Sequence, residues 1–312
     1  MKPDNSFGSR KSSRRVRLIG TVLSLGLLIT LLWRQDWAQI AQSLANLPWW
    51  ILLLSFTFLA LRHAFNALRW FWLVRAQDIP LSYARSLQLV FAGLFVSNFL
   101  PSMVGGDVVR ITGVMAIARN RVAGAASVVV DRLVGVFGMF FVLPFSLPLI
   151  KIILAEGGLA GLIGSTVAGQ RLREVFQRGV QRSKEALAMW WNRPFSLVQA
   201  LLTSWLAVAS YLFSAWMMTR GVGMQVSIFD VAGVSVLTYF LTMIPLSING
   251  YGVRELAIVG FYTQLGATVE QAMAFALVTR ILFLLVSLPG AAWVGNALPS
   301  RAQKLEQGDE SS

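Results

Sequence analysis

The sequence predicts an all-α polytopic membrane protein, with about six full spans and two broken re-entrant hairpins that form an inverted repeat. Three observations support this fold class. Hydrophobic residues make up 56% of the 312 residues and charged residues only 13%, against roughly 25% charged residues in soluble domains. The apolar residues are collected in long runs, and basic segments separate several of those runs. Two Pro/Gly-rich segments, 144 positions apart, interrupt the apolar runs in a matching pattern.

The long apolar runs define the spans. A helix needs about 20 mostly apolar residues to cross the hydrocarbon core of a bilayer. The fourth run is the weakest, because Lys151, Glu156 and several glycines dilute it. The six predicted spans cover residues 17–33, 49–74, 123–146, 147–168, 196–219 and 271–294.

The spans belong to one predicted transmembrane domain, residues 17–295, with polar segments on either side. Residues 1–16 are a basic N-terminus, and residues 296–312 are a polar tail. The first span is predicted to be an uncleaved signal anchor, because no small-residue cleavage site follows it. Residues 171–193 have the pattern of a basic amphipathic helix, which is typical of a helix on an anionic leaflet.

The repeated segments are predicted to be the tips of broken hairpins, at residues 85–118 and 231–266. Corresponding broken helices in two halves of a chain indicate a transporter-type binding site. Two alternatives stay open: the segments are unrelated kinks, or the hairpin halves are complete spans, which gives up to ten. The matching positions are Pro101, Gly106 and Arg110 in the first copy and Pro245, Gly250 and Arg254 in the second.

The distribution of Lys and Arg predicts the orientation. Residues 1–17 carry six basic residues against one acidic residue, and residues 171–193 carry six against two. Cytoplasmic loops are the basic ones, so both termini and the 171–193 helix are predicted to be cytoplasmic, provided that the fourth span exists. The first hairpin then enters the membrane from the cytoplasm and the second from the opposite face. Their tips are expected to meet inside the membrane.

Ionisable residues at membrane depth supply the candidate site. Because an unpaired buried cation is costly, a surplus of guanidinium groups calls for an anionic partner, and guanidinium holds a phosphate bidentately. We expect Arg110, Arg254 and Arg280 to face the phosphate. The residues expected to orient them, exchange protons or complete the substrate site are Asp107, Asp131, Glu255, Arg132 and Arg62.

The same residues have structural interpretations that the sequence leaves open. Arg69, Arg75 and Arg132 could extend to the cytoplasmic interface. The pairs Asp107 with Arg110 and Arg254 with Glu255 could hold the hairpins together. His63, the only histidine, is expected to be a packed polar residue rather than a metal ligand.

Catalytic motifs are not found in the sequence. It lacks G-x-S-x-G, H-E-x-x-H, G-x-x-x-x-G-K-[ST] and D-x-D patterns, and it contains no cysteine. We therefore predict no catalytic residues, no cofactor and no metal site. The net charge of +13 is interpreted as a membrane orientation signal rather than as a nucleic-acid footprint.

Three segments resemble the membrane region of lysylphosphatidylglycerol synthases, which also occurs as stand-alone flippase-like proteins. They are Asn98–Arg110 with its G-G-D-x-x-R motif, Val130–Gly135 with D-R-x-x-G, and Pro245–Glu255 with G-x-R-E. The resemblance covers residues from about 15 to 295. It implies movement of lipids or lipid-linked head groups across the bacterial inner membrane. The chain stops where a synthase would continue into its aminoacyl-transferring domain, so the resemblance does not extend to that activity.

The expected function is therefore translocation of an anionic phospholipid or lipid-linked phosphate, with membrane lipid as the partner and no nucleic acid. A competing interpretation is a non-transporting scaffold for a lipid or polysaccharide biosynthetic enzyme, with residues 171–193 as its docking surface. A homo-oligomer is also compatible with the sequence. A third interpretation is an intramembrane transferase without a recognisable motif.

Overall fold

The computed structural model describes residues 37–99, 105–155, 188–243 and 252–297. Several expectations lie outside these residues: the span at 17–33, both hairpin tips, most of the 171–193 helix, both polar ends and residues 156–168 of the fourth span.

The described residues form α-helices and no strand, which confirms the all-α class. Within the described ranges, four helical segments are long and apolar enough to cross a membrane, namely α2, α5, α7 and the segment that begins with α10 and continues to Gly295. The 3₁₀ turns Leu143–Ser146 and Leu288–Gly290 precede α6 and α11. The helices are α1 Trp37–Ala45, α2 Trp49–Arg75, α3 Tyr83–Phe99, α4 Gly105–Met115, α5 Arg121–Phe140, α6 Leu147–Ala155, α7 Pro194–Gly221, α8 Ile228–Met243, α9 Val253–Gln264, α10 Val269–Ser287 and α11 Ala291–Ala297.

The predicted spans 49–74, 196–219 and 271–294 match α2, α7 and the segment from α10 to α11, whereas the third span ends early. The third span was expected to reach residue 146, but α5 ends at Phe140. Pro144 lies in the following 3₁₀ turn, and a proline cannot donate the hydrogen bond that would continue the α-helix. The chain continues from there into α6.

Each broken segment is a pair of short helices that pack against each other, α3 with α4 and α8 with α9. The four helices have 17, 11, 16 and 12 residues, fewer than the roughly 20 that a full span needs. In the first pair, Gly93 and Gly106 lie in contact, so the two backbones approach closely. These lengths favour hairpins over complete spans.

The long helices α2 and α7 run antiparallel. The Ser55 hydroxyl donates to the Ser214 carbonyl oxygen at 3.2 Å, and the Ser214 hydroxyl donates to the Ser55 carbonyl oxygen at 2.8 Å. Further along, Arg69 donates to the Ser204 hydroxyl at 3.2 Å. As the position rises along α2, its partner falls along α7, which fixes the opposite directions.

The helices that follow each hairpin also run in opposite directions. Val134 of α5 packs in one cluster with Ala200 of α7. Met139, further along α5, packs in another cluster with Val208 and Leu212 of α7, so α5 runs parallel to α7. In α10, Gln271 donates to the Gly223 carbonyl at the end of α7, whereas Phe283 reaches Tyr211. The unit α2–α5 and the unit α7–α10 therefore form an inverted repeat of helix, hairpin and helix.

The start positions of the helices define the register of the repeat. The pair α4 and α9 begins at residues 105 and 253, and the pair α5 and α10 at 121 and 269, so both pairs differ by 148 positions. The 144-residue sequence alignment is therefore wrong beyond the tips: Arg110 is the sixth residue of α4, but Arg254 is the second residue of α9. The reason is the interruption between α8 and α9, which is four residues longer than the one between α3 and α4.

The two repeats interlock through their ends. The first helix of each hairpin packs on the 3₁₀ turn that ends the other repeat, α3 on Leu288–Gly290 and α8 on Leu143–Ser146. Gly290 lies against the Phe91 carbonyl, and Gly233 lies against the Phe145 carbonyl. A side chain at either glycine would collide with backbone, so both positions require a small residue.

Counting the described residues, one end of the bundle is basic and the other is neutral. The end of α2 and the starts of α3, α5 and α7 lie together, as the hydrogen bond from Trp190 to the Leu73 carbonyl and the ion pair of Arg193 with Asp78 indicate. At the opposite end, Arg220 and Lys151 are balanced by Asp230 and Glu270. Around the shared end the charged residues are Arg75, Arg85, Arg119, Arg121 and Arg193, with Asp78 as the acidic member.

The fourth predicted span begins with α6. Because α5 runs parallel to α7, α5 ends at the neutral end, where α6 packs on α8 and α9. Residues 156–168 of that span lie outside the described residues, so the fourth crossing stays a prediction.

We predict that Gly93→Ala destabilises the first hairpin. A Cβ at this position would lie 2.6 Å from the Gly106 carbonyl oxygen, so the helices must separate. The expected cost is about 1–3 kcal/mol, measured as a lower melting temperature in detergent by tryptophan fluorescence.

The matched control is Gly260→Ala, at a helical glycine with nothing within 4 Å of the added Cβ. It is expected to be stabilising by about 0.5–1 kcal/mol, because alanine favours the helix. Equal effects of the two substitutions would contradict the close approach of α3 and α4.

Candidate functional site

A cavity of about 370 Å³ lies between the two repeats. Its wall includes α2, both hairpins, α5, α7 and α10. All six arginines that the sequence places at membrane depth reach this one cavity. The ionisable lining residues, tyrosines apart, are Arg62, His63, Arg69, Asp107, Arg110, Asp131, Arg132, Arg254 and Arg280.

Asp131 on α5 bridges two of these arginines. Its carboxylate accepts from Arg69 Nε at 2.7 Å and from an Arg110 terminal nitrogen at 2.7 Å. Arg69 comes from the full span α2, and Arg110 from the hairpin helix α4. Gly135, one turn beyond Asp131, leaves room for the Arg69 guanidinium, since a Cβ there would lie 3.0 Å from it. One buried carboxylate thus joins a hairpin to two spans.

Arg110 is also fixed by an aromatic face. Its guanidinium carbon lies 4.4 Å from the centroid of the Trp70 ring. Trp70 is itself held by a hydrogen bond from its indole N–H to the Ser127 hydroxyl at 3.1 Å. The stacking of guanidinium on the ring is favourable. The Arg110 Nε remains buried without a hydrogen-bond partner among the described residues.

A second carboxylate, Asp107, pairs with Arg132 at 2.9 Å. Asp107 lies in the first turn of α4, where a negative charge is stabilised by the helix dipole. Its oxygen is 3.8 Å from the Arg110 guanidinium, so the pairing expected from the sequence is the weaker contact. Asp107 therefore connects α4 mainly to α5.

Glu255 is the carboxylate that pairs with arginines in the second repeat. Its carboxylate accepts two bonds from Arg280, at 3.0 and 2.7 Å, and lies 3.4 Å from Arg254. Its other oxygen accepts from the Gly252 N–H at 2.9 Å, which caps α9. Gly252 has a φ of 80°, a conformation that glycine adopts without strain. Arg254 also donates to the Thr279 hydroxyl at 3.0 Å.

The Asp107–Arg132 and Glu255–Arg280 pairs are equivalent in the inverted repeat. Each acid is the third residue of its hairpin helix, and each arginine follows it by 25 positions. The sequence alignment on Pro and Gly missed this relation. An acid at the start of a short apolar helix, followed 25 residues later by an arginine in a long one, was the signal that could have found it.

Arg62 has no carboxylate partner among the described residues. Its guanidinium carbon lies 4.3 Å from the centroid of the Tyr211 ring and 5.6 Å from that of Phe283. The neighbouring His63 is buried, with its Nε2 unpartnered in the described structure. Tyr211 was not selected from the sequence, although it is the single tyrosine of the fifth span.

The wall carries an excess of positive charge. The described residues place six arginines at the cavity and three carboxylates, Asp107, Asp131 and Glu255, in pairs with them. Arginine stays protonated in proteins, so six positive charges face three negative ones. The undescribed tips 100–104 and 244–251 contain no ionisable side chain except Tyr251. An anion in the cavity would offset this imbalance.

The ion pairs show where the surplus of positive charge lies. Arg110, Arg254 and Arg280 were expected to face a phosphate, and each of them also contacts a carboxylate. The surplus of positive charge belongs to the cluster as a whole. Arg62 contributes to it most clearly, because it has no carboxylate partner among the described residues. Arg69 does not extend to an interface, because it is buried against Asp131.

The cluster offers no evident metal site. Within the described ranges, no group of three His, Asp or Glu side chains is arranged to hold a metal ion. The carboxylates of the cluster are engaged by arginines instead. The arrangement suits recognition of an anion by guanidinium groups.

We predict that Asp131→Asn destabilises the protein by about 3–5 kcal/mol, because it leaves the buried guanidinium groups of Arg69 and Arg110 without their shared charge. The control is Asp78→Asn, which removes the exposed ion pair with Arg193. Asp78 has a φ of 57°, which asparagine tolerates, and its loss is expected to cost at most about 1 kcal/mol. Thermal unfolding in detergent compares the two, and similar shifts would show that Asp131 does not hold the cluster together.

Comparison with known proteins identifies the family. The family model described as the lysylphosphatidylglycerol synthase TM region matches residues 17–290 of this chain. That model describes a transmembrane region and not a catalytic domain. Neither the curated proteins nor the solved structures gave a match. Because the match covers most of the chain, including every residue of the arginine cluster, the protein belongs to the lysylphosphatidylglycerol synthase TM region family.

Proposed function

We propose that the protein translocates an anionic phospholipid or a lipid-linked head group between the leaflets of the bacterial inner membrane. The observation that carries the proposal is the arginine-rich cavity, which collects charge from both repeats at their interface. Transporter binding sites lie at such interfaces, next to broken helices. The proposed role is transport rather than catalysis.

Guanidinium groups suit the phosphate of a lipid head group. Their planar fork holds phosphate oxygens bidentately, and they are more weakly hydrated than an ammonium group. In the proposed bound state Arg110, Arg254 and Arg280 face the phosphate while Asp107, Asp131 and Glu255 keep them oriented. The first turns of α4 and α9 add the positive ends of two helix dipoles.

The inverted repeat supplies a route for alternating access. Its two equivalent arginines differ in exposure: the Arg132 side chain is 49% exposed and the Arg280 side chain 16%. When the two halves of an inverted repeat exchange their conformations, the cavity closes on one face of the membrane and opens on the other. The Arg132 side is the open side in this proposal.

The orientation follows from the charge of the two ends. We assign the basic end, with Arg75, Arg85 and Arg193, to the cytoplasm because cytoplasmic loops are enriched in Lys and Arg. Both termini are then cytoplasmic.

The test uses purified protein reconstituted into vesicles with labelled phosphatidylglycerol. Arg254→Gln and Arg280→Gln are expected to lower the rate of transfer between leaflets at least about tenfold, equivalent to about 1.4 kcal/mol. Arg254→Lys is expected to restore part of the rate, because it keeps the charge and loses the fork. Glu255 keeps one arginine partner in either Gln variant, which favours a folded protein.

The matched control is Arg220→Gln. Arg220 is exposed at the neutral end, where it donates to Gln225 and lies over Trp216, and it does not line the cavity. Its replacement is expected to leave transfer unchanged. If folded Arg254→Gln and Arg280→Gln proteins move lipid at the unmutated rate, the proposal fails and a scaffolding role becomes the better interpretation.

A further inference from the structure

We propose that the cavity selects lipids whose head group ends in a phosphate with two or more negative charges, namely a phosphomonoester or a diphosphate. This inference rests on the proposed function and narrows its substrate class. Its basis is the charge of the wall together with the size of the cavity. A phosphodiester head group with a single negative charge is the disfavoured alternative.

The net charge of the cavity wall indicates how many negative charges the ligand should carry. Six guanidinium groups face three carboxylates, so three positive charges remain to be balanced. A phosphodiester supplies one negative charge, and a phosphomonoester supplies roughly 1.5 to 2 near neutral pH. A diphosphate ester supplies more. A head group with an added ammonium would increase the imbalance instead of reducing it.

The uncompensated charge is placed where a ligand can use it. Among the residues that the structure describes, Arg62 reaches the cavity with aromatic partners only, Tyr211 and Phe283. Arg110 keeps a buried Nε–H without a partner in the described residues. Each of these groups retains an N–H donor from which a phosphate oxygen would accept a hydrogen bond.

The size of the cavity agrees with a compact head group. Its volume of about 370 Å³ is near the lower end of the range for small-molecule sites, roughly 300–1,000 Å³. A compact phosphate or diphosphate fits this space. Charge and volume therefore point to the same head-group class.

The test compares lipids that differ in phosphate charge. Binding of dioleoyl phosphatidic acid, dioleoyl phosphatidylglycerol and farnesyl diphosphate is measured on the whole purified protein in one detergent and one salt concentration, by native mass spectrometry. Phosphatidic acid is expected to bind at least about tenfold more tightly than phosphatidylglycerol, which has the same acyl chains. Stronger binding of farnesyl diphosphate would assign the site to prenyl diphosphates, and stronger binding of phosphatidic acid to glycerolipid monoesters.

Two variants test whether the charge of Arg62 contributes to this preference. Arg62→Gln removes one uncompensated charge without orphaning a carboxylate, and it is expected to narrow the affinity ratio between phosphatidic acid and phosphatidylglycerol. Arg62→Lys keeps the charge and is expected to preserve the ratio. Unchanged ratios in both variants would overturn the role of the charge.

The remaining outcomes separate this inference from the proposed function. If phosphatidylglycerol binds and is transferred as well as phosphatidic acid, translocation stands and the selectivity inference is overturned. If no anionic lipid binds at all, both are overturned.

Discussion

Arginines at membrane depth must be paired or solvated, because an isolated charge in a low-dielectric environment is costly. This requirement organises the molecule. Asp131 bridges Arg69 of a long span and Arg110 of a hairpin, so a single carboxylate both neutralises charge and ties a short helix to the bundle. The hairpin helices are too short to span the membrane alone. Their position depends on these contacts and on the close packing of glycines such as Gly93 against Gly106.

The inverted repeat explains why the cluster has its composition. Each repeat contributes one hairpin acid and one span arginine 25 residues later, Asp107 with Arg132 and Glu255 with Arg280. Because the repeats run in opposite directions, the two pairs meet around one cavity instead of lying at opposite ends. Arg62 lies beside these two pairs and has no acidic partner within the described part of the chain. The resulting surplus of positive charge is the basis for proposing an anionic substrate.

Hydrophobicity and Pro/Gly content were sufficient to predict three of the spans and both broken segments within the described residues. Long apolar runs bounded α2 and α7 to within two residues, since helix length is dictated by burial in lipid. The register of the repeat was not predictable from Pro and Gly, because these residues mark the interruption, whose length differs between the repeats. The arginines named from the sequence line one cavity, and their contact with a substrate stays a prediction. Their pairing depends on tertiary packing, and so the link from Arg69 to Asp131 and the aromatic contacts of Arg62 were missed.

The central claim is that the arginine cavity holds the phosphate of a membrane lipid. Native mass spectrometry of protein extracted gently from its own membrane measures this directly, with the bound lipid identified by fragmentation. The account predicts that a phosphate-bearing anionic lipid co-purifies with the unmutated protein and is depleted in Arg254→Gln but not in Arg220→Gln. Bound lipid that is purely zwitterionic, or equally retained in both variants, would contradict it.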